Sequence, residues 1–378
     1  MIVKTMNRPF TLIALIATLF AGCQENKPED KTEPEPDPVV PVPGFAKGAD
    51  VSWVSEMEKG GRTFRLKDGT PADIFDVLKE TGINAIRLRV WVDPTGGWSG
   101  PDDVVRQATR AYKAGLAVMV DFHYSDFFAD PSRQTIPKAW EADKADLAKM
   151  VQHVSDHTKQ VLKSLSDAGV KPAWVQIGNE TRNGMLWPLG QLWSENGATP
   201  PGGWGNFAQL YNAGYDAAKS VFPDAVVMPH LNNAFKASDN AWWFGEFKKN
   251  GGKFDAVALS HYPQTEKDWS STQTQALAYI KKAAADLGVP VYVSEVGVKT
   301  NANETLAKRV LTEFITGAKN IPQCAGVFYW EPEVDGKWKP AVYNSLGWNA
   351  YDMGAFTSDG KATSVMDAFL FDYASVIR

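Results

Sequence analysis

The chain alternates short apolar runs with longer amphipathic stretches from residue 44 onward. Short runs of apolar residues that are rich in valine and isoleucine are typical of buried β-strands. This pattern predicts eight strands, over Gly48–Val54, Ala85–Val92, Ala117–Tyr124, Ala173–Glu180, Ala225–Leu231, Ala256–Tyr262, Val291–Val298 and Ala325–Trp330.

Amphipathic stretches with the period of an α-helix separate the predicted strands. Several begin at a capping residue such as Asp73 or Asn303, and several end at a glycine such as Gly115 or Gly288. The predicted helices include Pro71–Thr81, Asp102–Ala114, Asp143–Ala168, Asn206–Val221, Thr272–Leu287 and Glu304–Lys319.

The repeated alternation of strand and helix predicts an α/β fold, a (β/α)8 TIM barrel that forms a single domain over residues 44–378. A doubly wound open sheet is the competing interpretation. Such a sheet would usually carry a glycine-rich phosphate-binding loop after an early strand. The sequence contains neither a dinucleotide-binding fingerprint nor a Walker loop, which favours the barrel.

Residues 1–43 differ in character from the predicted barrel. Residues 1–22 combine the positive charges of Lys4 and Arg8, an apolar run, and small residues directly before Cys23. This arrangement resembles a bacterial lipoprotein signal peptide, so we expect cleavage before Cys23 and lipidation of its thiol. An ordinary signal peptide with an incidental cysteine is the alternative. Residues 23–43 alternate proline with acidic side chains and predict a disordered tether behind the lipid.

The leader predicts an exported lipoprotein that contacts the membrane through its lipid anchor only. Acidic residues soon after Cys23 favour the outer membrane, with the protein facing the cell exterior. The formal net charge is only -5, so nothing indicates a nucleic-acid-binding surface. We expect a monomer. The sequence contains 14 tryptophans; we expect most of them to fill the core and a minority to line a cleft that binds flat sugar faces.

The carboxyl ends of barrel strands form the active face of this fold. In this sequence those ends are consistently polar or aromatic, which indicates an enzyme. They read Arg87-Leu88-Arg89-Val90-Trp91, Asp121-Phe122-His123-Tyr124-Ser125-Asp126, Asn179-Glu180, His230-Leu231-Asn232-Asn233, Ser260-His261-Tyr262-Pro263, Glu295, and Tyr329-Trp330-Glu331-Pro332.

Three of these ends carry a glutamate. Glu331 after the eighth strand is a rival carboxylate, but Pro332 follows it, so we rank it behind the pair of Glu180 after the fourth strand and Glu295 in the seventh. Glycoside hydrolysis uses two carboxyl groups, one to protonate the departing sugar oxygen and one to attack or stabilise the anomeric carbon. We predict that Glu180 and Glu295 are the catalytic pair, with carboxyl groups about 5–5.5 Å apart as in retaining enzymes. A surface glutamate at a strand end is the alternative for either residue.

The other candidates concern substrate binding and the charge of the pair. Arg87 and Arg89 alternate onto one face of the second strand, where one of them could hold the nucleophile ionised; a structural ion pair is the alternative for each. Asn179 could hydrogen-bond a sugar 2-hydroxyl. Residues expected to bind substrate are Arg87, Arg89, His123, Tyr124, Asp126, Asn179, His261, Tyr262 and Trp330.

These strand ends, together with Gly48-Ala49-Asp50-Val51-Ser52, resemble glycoside hydrolase family 53, the endo-β-1,4-galactanases that cut type I arabinogalactan. The resemblance covers roughly residues 46–375 in order. It implies a clan A barrel, retention of configuration, Glu180 as acid/base and Glu295 as nucleophile. It also implies β-1,4-galactan as the partner. The residues by themselves do not decide which glutamate has which role.

Two departures from the family pattern stand out. Family members commonly carry a tryptophan in the loop after the third strand, where this chain has Phe127 and Phe128. Some bacterial members bind calcium after the seventh strand, but here residues 298–303 offer no carboxylate before Glu304. We therefore predict no metal or other cofactor, with calcium as the lesser alternative. His153 and His157 do not form a zinc motif, because residue 154 is valine.

Two other functions remain open at this point. One is another clan A endo-glycanase, a β-mannanase or a xylanase. The other is a non-catalytic glycan-binding surface lipoprotein that keeps an aromatic cleft. Loss of one glutamate would mark the second alternative, and both glutamates are present.

Overall fold

The computed structural model describes residues 40–194, 197–198, 200, 202–263, 269–299, 303–338, 340–346, 352–372 and 375–376. Parallel strands in this part of the chain form one sheet. The strands are β1 (Ala46–Asp50), β2 (Ala85–Val90), β3 (Ala117–Phe122), β4 (Trp174–Ile177), β5 (Val226–Met228 and His230–Leu231), β6 (Val257–His261), β7 (Val291–Val296) and β8 (Cys324–Trp330).

The sheet closes into a barrel. From β1 to β4, each strand pairs with the next one along the chain, and β8 returns to pair with β1. Pro229 interrupts β5; the part before it pairs with β4 and the part after it pairs with β6. Both edges of the sheet therefore belong to one strand, and the predicted (β/α)8 barrel is confirmed.

Helices connect the strands and surround the barrel. They are α1 (Val54–Lys59), α2 (Ile74–Glu80), α3 (Pro101–Lys113), α4 (Leu147–Asp167), α5 (Gly203–Val221), α6 (Ala237–Lys249), α7 (Trp269–Leu287) and α8 (Glu304–Lys319). The predicted caps Asp73 and Asn303 are confirmed, because each side chain accepts a hydrogen bond from a backbone N–H in the first turn. The sequence pattern does not predict α1, which begins inside the predicted first strand, or α6, whose aromatic residues face both the core and solvent.

Side chains that point into the barrel change from apolar to polar along the strands. The amino-terminal layer is apolar and consists of Ala46, Ala85, Ala117, Met119, Trp174, Met228, Ala256, Ala258, Tyr292 and Phe328. Gly48 leaves room for the Phe328 ring, since a Cβ at Gly48 would lie 2.0 Å from it. Alternation along the strands then brings a buried polar layer to the same face: Asp50, Arg87, Asp121, Gln176, His230 and Ser260. This polar layer is the floor of the barrel mouth.

A bulge in β7 changes which side chains face the interior. Strict alternation from Tyr292 would direct Ser294 inward and Glu295 outward. The stretch from Val293 to Val296 instead covers three residue steps in β7, whereas the facing stretch of β8 covers only two. The extra residue turns Glu295 into the barrel, so the bulge is the local structure that aims this carboxylate at the mouth.

The packed body of the protein includes residues 40–43, which the sequence analysis assigns to the disordered tether. Val42–Pro43 pairs with Ser375–Val376, and Val40 and Val42 pack against the apolar layer of the barrel interior. The prediction of disorder is wrong at these residues because Val40 and Val42 have apolar side chains to bury, which the acidic part of the tether lacks. Cys23, the signal peptide and most of the tether lie outside the described residues. No helix among the described residues has the length and apolar character needed to cross a bilayer.

Candidate active site

Glu180 reaches the mouth through a turn directly after β4. Gly178 has a φ of 77°, and Glu180 itself adopts the left-handed conformation with φ 46° and ψ 50°. That conformation costs an ordinary residue about 1–2 kcal/mol, and such strain concentrates at functional sites. The turn directs the Glu180 carboxyl group toward β6, where the Ser260 hydroxyl donates to Glu180 Oε1 at 2.7 Å.

Glu295 is held by both of its carboxylate oxygens. Oε1 lies 3.0 Å from Arg87 Nη2, and Oε2 accepts a hydrogen bond from the Tyr262 hydroxyl at 2.7 Å. The residue is only 5% exposed. A buried carboxylate with a cationic partner and a hydroxyl donor has a fixed direction, which a nucleophile requires.

Arg87 is the centre of the charge network in the mouth. Its guanidinium is buried and lies 2.7 Å from Asp50 Oδ2 and 2.8 Å from Asp121 Oδ2, in addition to Glu295. It also donates to Asn179 Oδ1 at 2.8 Å. Burial alone would lower the pKa of Arg87, but the three carboxylates raise it, so the side chain stays charged.

His230 and Ser260 position Glu180 through a chain of hydrogen bonds. Burial and the charge of Arg87 lower the pKa of His230 well below its usual range, so its ring is neutral. Two N–H donors, the Glu180 backbone at 3.3 Å and the Gln176 side chain at 3.1 Å, face His230 Nδ1, against one acceptor, Asn179 Oδ1 at 3.0 Å, which favours a proton on Nε2. His230 Nε2 lies 2.8 Å from Ser260 Oγ, so the ring donates to that oxygen while the Ser260 hydroxyl donates to Glu180.

The two carboxyl groups lie close together. Glu180, His230 and Glu295 each place one potential ligand atom within 4.8 Å of the others, the one such group found among the described residues. The Ser260 hydroxyl lies between them, 2.7 Å from Glu180, 2.8 Å from His230 and 3.4 Å from Glu295.

The surroundings of the two glutamates raise both carboxyl pKa values to different degrees. Burial and the negative charge of Glu295 raise the pKa of Glu180, while the hydrogen bond from Ser260 opposes them. Burial also raises the pKa of Glu295, but Arg87 and the Tyr262 hydroxyl act against it. The neighbours of Glu295 therefore stabilise its ionised form, whereas Glu180 is the carboxyl group that keeps a proton.

A protonated carboxyl group beside an ionised one, at the mouth of a barrel, is the arrangement that glycoside hydrolysis requires. The model of glycosyl hydrolase family 53 matches residues 46–369. The chain belongs to glycosyl hydrolase family 53. The match begins in β1 and continues past β8, so family 53 membership covers the whole barrel and not the site alone.

Similar proteins carry galactanase names. An arabinogalactan endo-beta-1,4-galactanase from Thermothelomyces thermophilus is 31% identical, over 85% of this chain and 98% of that protein. An endo-beta-1,4-galactanase from Bacillus subtilis is also 31% identical, over 82% of this chain and 75% of that protein. A solved fungal beta-1,4-galactanase superposes with a TM-score of 0.72 at 29% identity, covering 86% of this chain and 98% of that one.

Besides the two glutamates, the structure brings four of the predicted residues to the catalytic centre or directly above it. Arg87, Asn179 and Tyr262 belong to the hydrogen-bond network of the pair. The Trp330 ring lies at the mouth, partly exposed, with its centroid 6.0 Å from the Tyr262 ring. Direct contact of these four residues with sugar stays a prediction.

Three further predicted residues are occupied by protein contacts. Arg89 pairs with Glu331, and its guanidinium lies 4.1 Å from the centroid of the Trp53 ring, so the structural ion pair describes it. His123 Nε2 lies 2.9 Å from Asp121 Oδ2 in the buried layer. The Asp126 carboxylate accepts backbone N–H groups of residues 93 and 138 and thereby joins two loops.

Two predicted residues lie behind the sheet instead of at the mouth. The Tyr124 hydroxyl is 2.7 Å from Thr158 Oγ1 on α4, and the His261 ring stacks on Phe314 of α8 with centroids 4.4 Å apart. Burial lowers the pKa of His261 to about 3. Successive side chains along a strand point to opposite faces of the sheet. At these two strand ends the preceding residue points inward, so Tyr124 and His261 face the helices and do not reach the cleft.

The site also contains residues that the sequence analysis does not select. They are Asp50, Asp121, Gln176, His230 and Ser260, and all of them are buried. A signal for them exists in the sequence. Each lies an even number of positions from a small or apolar residue that faces the barrel interior, so counting in steps of two along each strand would identify them.

Replacing Tyr262 with phenylalanine tests how Glu295 stays ionised. The variant loses the hydroxyl that lowers the pKa of Glu295, so this pKa should rise. A nucleophile must be ionised, so we expect the acidic limb of the kcat/KM pH profile for glycoside hydrolysis to move to higher pH by about one to two units.

Tyr329→Phe is the matched control, because its hydroxyl donates to the Met353 carbonyl away from the pair. This variant should keep the wild-type acidic limb. An acidic limb that stays in place for Tyr262→Phe, or that moves equally in both variants, would contradict the predicted role of Glu295 as the nucleophile.

Proposed function

We propose that the protein is an endo-β-1,4-galactanase that hydrolyses β-1,4-galactosidic linkages in type I (arabino)galactan of pectin. One observation carries the proposal: Glu180 and Glu295 place carboxylate oxygens within 4.8 Å of one another at the mouth of a family 53 barrel. The galactanase names of similar proteins support the choice of substrate. They do not favour a β-mannanase or a xylanase, and a glycan-binding lipoprotein without activity would not need both glutamates.

The proposed reaction has two steps and retains configuration at the anomeric carbon. In the first, the Glu295 carboxylate attacks the anomeric carbon, the bond to the leaving sugar oxygen breaks, and the Glu180 proton moves to that oxygen. In the second, Glu180 takes a proton from water, the water oxygen attacks the anomeric carbon, and Glu295 leaves as a carboxylate. Electrons and protons balance over the two steps, and both glutamates return to their starting states.

The short spacing of the carboxyl groups supports retention. Inverting enzymes keep their carboxyl groups about 6.5–9.5 Å apart so that a water molecule fits between them and the sugar. Here one oxygen of Glu180 lies within 4.8 Å of one oxygen of Glu295, which favours the short spacing of retaining enzymes and direct attack by Glu295. Side chains alone perform both proposed steps. Calcium after β7 stays the lesser alternative, since residues 300–302 of that loop lie outside the described residues.

We further propose that lipid on Cys23 anchors the enzyme to the outer membrane, facing the cell exterior. The lipoprotein-like signal and the acidic tether support this placement. The barrel should then be removed from intact cells by added protease, while a periplasmic control protein survives. Survival of the barrel under the same treatment would contradict exposure at the cell surface.

Alanine variants of the two glutamates test the assigned roles. We expect Glu180→Ala and Glu295→Ala each to lower galactan hydrolysis by about 10²–10⁴-fold or more, because each loses one half of the acid–nucleophile pair. Glu313→Ala, which removes an exposed glutamate on α8, is the matched control and should keep wild-type activity. NMR of the first wild-type products should show the β-anomer.

An activated substrate distinguishes the two roles. A dinitrophenyl β-galactoside needs no proton on its leaving group, so Glu180→Ala should still release a burst of dinitrophenol, whereas Glu295→Ala should not. The reverse pattern would exchange the roles, and α-anomers as the first products would refute retention. Wild-type inactivity on linear galactan, with activity on mannan or xylan, would refute the substrate.

A further inference from the structure

The Ser260 hydroxyl near the end of β6 is in contact with both glutamates of the pair. Its oxygen lies 2.7 Å from Glu180 Oε1 and 3.4 Å from Glu295 Oε2. Ser260 is fully buried, so bulk water does not compete for its hydrogen bonds. A hydroxyl in this position can respond to a change of charge on either carboxyl group.

The hydrogen-bonding capacity of Ser260 allows such a response. A serine hydroxyl carries one proton and two lone pairs. The His230 Nε2–H, 2.8 Å from Ser260 Oγ, occupies one lone pair. The single hydroxyl proton can then point at Glu180 or at Glu295, but not at both. The contact of 2.7 Å to Glu180 suits either direction, because a protonated Glu180 can donate to the second lone pair of Ser260 and an ionised Glu180 can accept from it.

The proposed mechanism moves a negative charge from one neighbour of Ser260 to the other. Before the attack Glu295 is ionised and Glu180 holds a proton. After the attack Glu295 is bound to the sugar as a neutral ester, and Glu180 is a carboxylate. Because hydrogen bonds to ionised acceptors are roughly twice as strong as neutral ones, the preferred acceptor of the Ser260 proton changes with the charge.

We propose that the Ser260 hydroxyl changes its acceptor between the two steps, donating to Glu295 before the attack and to Glu180 in the glycosyl-enzyme. The proton stays on Ser260 throughout, and only its direction changes. Ser260 is thus a positioning residue that stabilises the nucleophile in the first step and the base in the second. The inference rests on the proposed retaining mechanism.

Replacing Ser260 with alanine removes this hydroxyl and leaves the other polar groups around the pair in place. Besides each other, Glu180 and Glu295 face charged or titratable groups from β1, β2, β3, the loop after β3, β5 and the end of β6. These groups are Asp50, Arg87, Asp121, Asp130, His230 and Tyr262. None of them is substituted in Ser260→Ala, so a change in the pKa of either glutamate can be assigned to the lost hydroxyl.

A trapping reagent measures the two steps separately. The reagent is a dinitrophenyl β-1,4-galactobioside that carries fluorine in place of the 2-hydroxyl next to the cleaved bond. Its leaving group needs no acid, so trapping of the enzyme requires only an ionised Glu295. Hydrolysis of the trapped enzyme, after excess reagent is removed, requires an ionised Glu180 as base. The acidic limb of each pH profile therefore reports the pKa of one glutamate.

Ser260→Ala should move both acidic limbs to higher pH. The limb for hydrolysis should move by about one to two units, because ionised Glu180 loses a short hydrogen bond. The limb for trapping should move by about half a unit, since the contact to Glu295 is longer and the contacts of Glu295 with Arg87 and Tyr262 remain. Tyr262→Phe should move the trapping limb alone, because Glu295 is an ester in the trapped enzyme.

Ser294→Ala is the matched control. Ser294 is buried next to Glu295, and its hydroxyl has no hydrogen-bond partner in the described part of the chain. This variant should leave both limbs unchanged. Release of one dinitrophenol per protein molecule during trapping shows in each variant that the active site is folded.

The outcomes separate this inference from the proposed function. Movement of the hydrolysis limb alone would mean that Ser260 serves only Glu180, and movement of the trapping limb alone that it serves only Glu295. Either result, or two unchanged limbs, overturns the inference and leaves the galactanase function standing. A wild type that hydrolyses galactan but is not trapped overturns the retaining mechanism together with the inference, and a wild type inactive on galactan overturns the proposed function as well.

Discussion

The buried guanidinium of Arg87 is the interaction on which the mouth of the barrel depends. It contacts Asp50 from β1, Asp121 from β3 and Glu295 from β7. A buried carboxylate without a partner costs several kcal/mol, so these acids could not share the barrel interior without this cation. Because its partners come from both sides of Arg87, the same charge that pairs with the acids also fixes the positions of the strands that carry them.

This charge also divides the labour between the two glutamates. Glu295 lies 3.0 Å from Arg87 and accepts the Tyr262 hydroxyl, so its ionised form is supported. Glu180 instead receives a neutral donor, Ser260, which His230 orients. Two similar carboxyl groups thus acquire different proton affinities from their neighbours, as the proposed retaining mechanism requires. The β7 bulge and the left-handed turn at Glu180 bring the two groups together.

The fold and the glutamates could be predicted from the sequence because strands buried on both faces read as continuous apolar runs that end in polar residues. The direction of single side chains could not be predicted so easily. His261 and Ser260 are neighbours, and only counting in steps of two from Ala258 shows which one faces the interior. A bulge breaks that count and leaves no mark in the sequence of β7. The same holds for the left-handed conformation of Glu180, since glycine would be the expected residue there.

Carboxyl-carbon NMR titration of Glu180, in the wild type and in Glu295→Gln, tests the central claim most directly. If burial and the charge of Glu295 hold the proton on Glu180, this residue should titrate well above the ordinary glutamate range in the wild type. Its pKa should fall in Glu295→Gln, where the neighbouring negative charge is gone. A Glu180 that titrates in the ordinary range, or whose pKa does not move in the variant, would contradict the assignment of acid and nucleophile.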